Sequence, residues 1–122
     1  MKFLKQVFFL GLLSLMISSC GDDGGITLSL TSPNNDTVYT GGDVITITGT
    51  ATDDVEVSNI QIESTELSLN DNLTGNGTPT VPFQYEIRLV AGTQAIEEVN
   101  IIVTASDGEG NTAIEERKVS IQ

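Results

Sequence analysis

The sequence predicts an all-β fold: a single sandwich of about seven short strands, preceded by a cleaved signal peptide. Three observations lead there. Apolar and polar residues alternate with a period of two along several stretches of residues 26–122. Clusters of Gly, Pro, Asn and Asp punctuate those stretches. No segment after Cys20 carries a helical stripe of apolar residues.

Residues 1–19 read as an address rather than as part of the fold. Lys2 and Lys5 make a positive start, Val7 to Ile17 is an apolar run of h-region length, and Ser18 and Ser19 are small. The run is far short of the ~20 apolar residues of a spanning helix. Residues 20–25, Cys20-Gly21-Asp22-Asp23-Gly24-Gly25, form a glycine-rich flexible tether. The domain proper is expected at 26–122. Ile26-Thr27-Leu28-Ser29-Leu30-Thr31 alternates as a half-buried strand should, and Ile45, Ile47, Gly49 and Ala51 alternate with Val44, Thr46, Thr48 and Thr50. Ile60 and Ile62 flank Gln61. Val81, Phe83, Tyr85, Ile87 and Leu89 give the longest series. Val99, Ile101, Val103 and Ala105 give another, with Ile102 as an apolar exception on the opposite face. Val119 and Ile121 close the chain, so no second domain is expected after them. Turns fall at Pro33-Asn34-Asn35-Asp36, Gly41-Gly42-Asp43, Asp53-Asp54 and Asp107-Gly108-Glu109-Gly110-Asn111. Short strands so punctuated fit an immunoglobulin-like Greek-key sandwich without the disulfide and tryptophan of antibody domains.

Two resemblances sharpen this reading. Ile17-Ser18-Ser19-Cys20 resembles the bacterial lipobox, an aliphatic residue and two small ones before a thiol. The resemblance implies a lipoprotein cut before Cys20 and acylated on it (diacylglycerol on sulfur, a fatty acid such as palmitate on the amine), which makes a durable membrane anchor. In enterobacterial lipoproteins an aspartate directly after the cysteine gives inner-membrane retention; here that position is Gly21. The acidic pair Asp22-Asp23 resembles signals that send lipoproteins to the outer face of the outer membrane. The periplasmic face is the alternative. Further on, Ser32-Pro33-Asn34-Asn35, Gly41-Gly42-Asp43-Val44-Ile45-Thr46-Ile47 and Ala51-Thr52-Asp53-Asp54 resemble the opening of bacterial Ig-like domains. Val103 to Asn111 is similar to their closing Ala-x-Asp-x-x-Gly-Asn hairpin, shared with cadherin-like sandwiches. Such domains serve as adhesion, spacer or accessory binding modules.

Composition narrows the function. The chain has 17 acidic and 5 basic residues, no histidine and one cysteine, a formal charge of −12. Without histidine there is neither a Ser-His-Asp triad nor an imidazole metal ligand. Nucleic acid is an unsuitable partner for so acidic a chain. Removing the basic signal leaves 103 residues at −14, with the acids expected in loops and on outward strand faces.

Four constellations remain. Asp53, Asp54, Asp107 and Glu109 lie in two loops that an Ig-like topology places at one end, a set of hard oxygen ligands suited to Ca²⁺. The competing reading has Asp53 and Asp107 accepting turn amides. Adjacent glutamates at Glu97-Glu98 and Glu115-Glu116 should point to opposite faces of a strand and so form no acid–base pair. The polar stretch from Glu63 to Pro82 exceeds an ordinary loop; it is expected to carry an irregular edge, with Leu67 and Leu69 in alternation, or else a binding loop. Asn35, Asn72 and Asn76 head eukaryotic sequons that a bacterial lipoprotein would not use. Asp36-Thr37-Val38 resembles a bacterial O-glycosylation motif, with Thr37 as the acceptor. The expected protein is thus a lipid-anchored, non-enzymatic envelope module at the outer membrane or cell surface. Its expected role is adhesion or interaction with envelope or extracellular proteins, the alternative being an accessory glycan- or Ca²⁺-binding subunit.

Overall fold

The structure is a computed structural model and describes residues 25–122. The signal peptide, Cys20 and all of the tether but Gly25 lie outside the described residues. Eight strands follow in order: β1 (Thr27–Ser32), β2 (Val38–Tyr39), β3 (Val44–Thr52), β4 (Val57–Ser64), β5 (Leu69–Thr74), β6 (Thr80–Arg88), β7 (Ile96–Asp107) and β8 (Thr112–Ile121). They form a three-stranded sheet, β1-β3-β6, and a five-stranded sheet, β2-β8-β7-β4-β5. All neighbours are antiparallel except β2, which runs parallel to β8. The chain crosses between the sheets at β1–β2, β2–β3, β3–β4, β5–β6 and β6–β7, and stays within one sheet only at the β4–β5 and β7–β8 hairpins.

The alternating residues supply the core. Ile45, Ile47 and Ala51 of β3 face Ile60 and Ile62 of β4 and Val99, Ile101 and Val103 of β7, all without solvent contact. Each such side chain contributes about 1.5–3 kcal/mol through burial. Gly49 sits on the same inward face because nothing larger fits. A Cβ there would come within 2.5 Å of the Ser29 carbonyl oxygen and 2.9 Å of the Phe83 ring. The aromatics Tyr39, Phe83 and Tyr85 are only half-buried and pack around the core's margin.

Polar side chains close both seams between the sheets. On one side Arg117 of β8 reaches β1: its Nε donates to the Pro33 carbonyl at 3.0 Å and its Nη2 to the Leu30 carbonyl at 3.2 Å. Its Nη1 meets Glu115 at 3.1 Å and the Glu116 carbonyl at 3.1 Å. On the other side the Tyr85 hydroxyl of β6 donates to Asp71 of β5 at 2.7 Å. That bond holds the Asp71 carboxyl below its usual range and raises the Tyr85 hydroxyl.

Eight strands stand where about seven were expected, and two elements account for the difference. β2 is two residues long, too short to show a period. β5 occupies the polar stretch: the segment from Glu63 to Pro82 is a β4–β5 hairpin with an edge strand rather than a free loop. Leu69, not Leu67, belongs to that strand, because Thr65–Ser68 form the turn. Glu66 pins the turn to β7 by accepting the Asn100 amide at 2.9 Å. The expected divergence of Glu97 and Glu98 fails, because the β7–β8 register shifts between Ile96 and Val99 and leaves both exposed. Both line one open hollow of ≈ 390 Å³ beside Lys118.

Candidate functional site

The loops after β3 and after β7 meet at one end of the sandwich. Asp53 leaves the end of β3, and β7 delivers Asp107 opposite Val57 at the start of β4. Both aspartates are buried, at 5% and 6% exposure. With Val55, Glu56, Gly108 and Glu109 they line a pocket of ≈ 160 Å³. Three of the four acids expected there therefore come together. Asp54 does not join them; it turns towards Gly25, where a Cβ would meet its Oδ2 at 2.5 Å. Glu56 completes the lining in its place. The sequence carried a signal for it, since an aspartate that opens an Asx-turn presents the residues two and three positions on.

Both buried carboxylates organise their own loops. Asp53 Oδ2 accepts the amides of Val55 at 3.0 Å and Glu56 at 3.1 Å. Asp107 Oδ1 accepts the amides of Glu109 at 2.8 Å and Asn111 at 2.9 Å, and its Oδ2 accepts the Asn111 side chain at 2.9 Å. The Asn111 side chain chiefly, with those two amides, holds the Asp107 carboxyl below its ordinary range against the opposing effect of burial. The Asp53 and Asp107 side chains line the same pocket. Yet Asp53 Oδ1 is fully buried and has no donor. An acceptor so placed costs free energy unless something positive or proton-bearing meets it.

Chemically, this end of the molecule holds two acids fixed by amides and two at the pocket rim. Among the described residues no three His, Cys, Asp or Glu side chains are grouped to hold a metal ion as they stand. The pocket is shallow and small beside ordinary ligand clefts of about 300–1,000 Å³. The other expected positions lie elsewhere. Thr37 is half-buried just before β2, its hydroxyl donating to the Asn34 carbonyl at 2.8 Å. Cys20 lies outside the described residues, and among these no helix is long and apolar enough to cross a membrane.

Comparison with known proteins bears on this architecture. Residues 27–97 match the family described as Bacterial Ig domain. No curated protein sequence gives a significant match. Among solved structures, the fibronectin(III)-like modules of Clostridium thermocellum CbhA superpose with a TM-score of 0.54 at 22% identity. That alignment covers 80% of this chain and 45% of the other, so the chain spans under half of that relative's length. A Niemann-Pick type C2 protein from the Japanese carpenter ant superposes with a TM-score of 0.51 at 10% identity, covering 84% and 96%. At such identities both likenesses concern the fold.

Proposed function

The chain belongs to the bacterial Ig domain family, and from that premise we propose that it is a non-catalytic interaction module of the cell envelope, held by a lipid on Cys20. The observation that carries the non-catalytic reading is the use made of the two buried acids. Asp53 and Asp107 already accept main-chain amides of their own turns, so they serve loop shape before any chemistry. The Ile17-Ser18-Ser19-Cys20 sequence supports the anchor, and adhesion at the outer membrane is the role that suits a tethered sandwich.

Three experiments test the parts of this reading. Metabolic labelling with a palmitate analogue should mark the wild type and not Cys20→Ala; equal labelling would refute the anchor. Protease added to intact cells should degrade a surface-displayed protein, and full protection would assign it to the periplasmic face. A crosslinking pull-down from envelope extracts should retrieve protein partners in the adhesion reading.

An accessory Ca²⁺-binding role is the second reading. The buried, donorless Asp53 Oδ1 favours it, with Asp107, Glu56 and Glu109 lining the same pocket. A ligand of the native state raises the melting temperature. Calcium should therefore raise it relative to chelator, and an unchanged value would retire the site. For Thr37, the intact mass of protein purified from its own envelope tests the glycosylation reading.

A further inference from the structure

Strand β8 is only partly covered on the side away from β7. There β2 and the residues before it satisfy its far half. The Asp36 amide donates to the Lys118 carbonyl at 2.7 Å, and the Lys118 amide to Asn35 Oδ1 at 2.9 Å. The Ser120 amide donates to the Thr37 carbonyl at 3.0 Å, and the Gln122 amide to the Tyr39 carbonyl at 2.8 Å. Main-chain groups alternate sides along a strand, so those of Thr112, Ile114 and Glu116 face the same edge. Among the described residues the amides of these three have no partner there, and Glu116's carbonyl meets only its neighbour Arg117. A cleft of ≈ 410 Å³ runs beside this stretch, lined by Thr27 and Leu28 of β1 and by Thr112, Ala113, Ile114 and Glu115. Ile114, at its centre, is 62% exposed. Pro82 occupies β6, one of the two edge strands of the other sheet, where a residue without an amide hydrogen blunts pairing. β8 carries no proline; its protection is the charged run from Glu115 to Lys118.

We propose that the open edge of β8 pairs with the same edge of a second copy of this chain, antiparallel and centred on Ile114. The register is self-complementary, as a two-fold contact requires. Ile114 meets its counterpart, and Thr112 meets Glu116 of the second copy, so no like charges lie directly opposite. Each Glu115 keeps its own Arg117 at 3.1 Å. The strand is also polarised. Arg117 and Lys118, two of the three basic residues among those described, stand towards one end, and Asp107 and Glu109 stand beyond the other. Antiparallel pairing brings the basic end of each copy to the acidic end of the other. About six main-chain hydrogen bonds form. The contact is small, so the association it supports is weak and transient.

Residues 20–122 retain every strand and the whole core cluster, so this signal-free chain is the one to test. Sedimentation velocity from about 10 μM to about 1 mM, in about 0.5 M NaCl to screen the acidic domains from each other, should show a monomer–dimer equilibrium. Ile114→Pro removes the central donor at an edge position and should weaken association by roughly tenfold or more. Ile114→Lys tests the same contact with an exposed substitution that spares the backbone. In the dimer the amides of Thr112, Ile114 and Glu116 should exchange with deuterium several-fold more slowly than in the monomer. A wild type that stays monomeric at the highest concentration overturns the proposal, and so does a dimer that survives both substitutions. Unprotected amides at the three positions in the dimer would likewise place the contact elsewhere.

Discussion

Replacing Asp53 by asparagine should stabilise this domain, although it alters a buried side chain that shapes a loop. The amides of Val55 and Glu56 both bond to one oxygen, Oδ2; an asparagine carbonyl can accept both in the same geometry, more weakly than a carboxylate. The other oxygen is fully buried without a donor, at the end of the molecule where Asp107 lines the same pocket. Asparagine puts an NH₂ group there, which replaces the unsatisfied acceptor by a donor beside a pocket lined with acids. A buried unsatisfied acceptor costs about 1–3 kcal/mol. The substitution should recover on the order of 1 kcal/mol of this, which moves the melting temperature of a domain this size up by about 4–8 °C. Scanning calorimetry at neutral pH in chelator measures it. Asp53→Ala is the contrasting variant: it removes the acceptor from both amides and should cost about 1–2 kcal/mol. An Asp53→Asn variant that melts below the wild type would refute the argument, because the buried oxygen would then have a favourable partner that only a carboxylate can engage.

Other consequences are as direct. Arg117→Ala should cost about 2–3 kcal/mol by urea unfolding, since it strands the Leu30 and Pro33 carbonyls at the seam; Arg117→Lys should not rescue it, lacking the planar fork. Gly49→Ala should cost about 1–3 kcal/mol in the same assay by forcing β1 and Phe83 away. Tyr85→Phe should return the Asp71 carboxyl towards its ordinary value, measurable by NMR titration. On acidification, Asp71, Asp107 and Glu66 titrate lower in the folded chain, held by Tyr85, the Asn111 side chain and the Asn100 amide respectively. The unfolded chain therefore binds protons first, and stability should fall as pH drops below about 4. Tyr39, raised by burial and then by Asp43, and Tyr85, raised by Asp71, act in the opposite sense. The unfolded chain ionises first there, so stability should fall again above about pH 10.

The period-two runs located the strands that bury a face, because burial imposes alternation on them. β3, β6 and β7 were legible for this reason. β2 was not, since two residues cannot display a period, and its place depends on long-range bonds to β8. β5 was half legible. Its Leu69 and Leu73 face inward, but Asp71 stands between them, exposed and bonded to the Tyr85 hydroxyl across the seam. The meeting of Asp53 with Asp107 followed from strand order once a sandwich was inferred. The turning of Asp54 towards Gly25, and the inclusion of Glu56, depend on the hydrogen bonds of one tight turn, which strand order does not reach. Glu97 and Glu98 escaped for another reason: a one-strand bulge cancels the rule that neighbours diverge.

The start of β1 has a bearing on how the molecule would sit. Ile26 is completely buried and Gly25 lies against Asp54, so the chain is fixed at the end that carries Asp53, Glu56, Asp107 and Glu109. Gly25 follows Cys20 by five residue steps, a reach of at most about 18 Å. In a chain anchored through Cys20 the acidic loops therefore look down at the bilayer, and the turns around Asn34, Gly42 and Gly92 form the leading surface. Two copies joined along β8 would be inverted, with their tethers leaving from opposite ends. Such a pair cannot stand upright on one membrane with both lipids inserted; it would have to lie on its side, with a tether reaching down from each end.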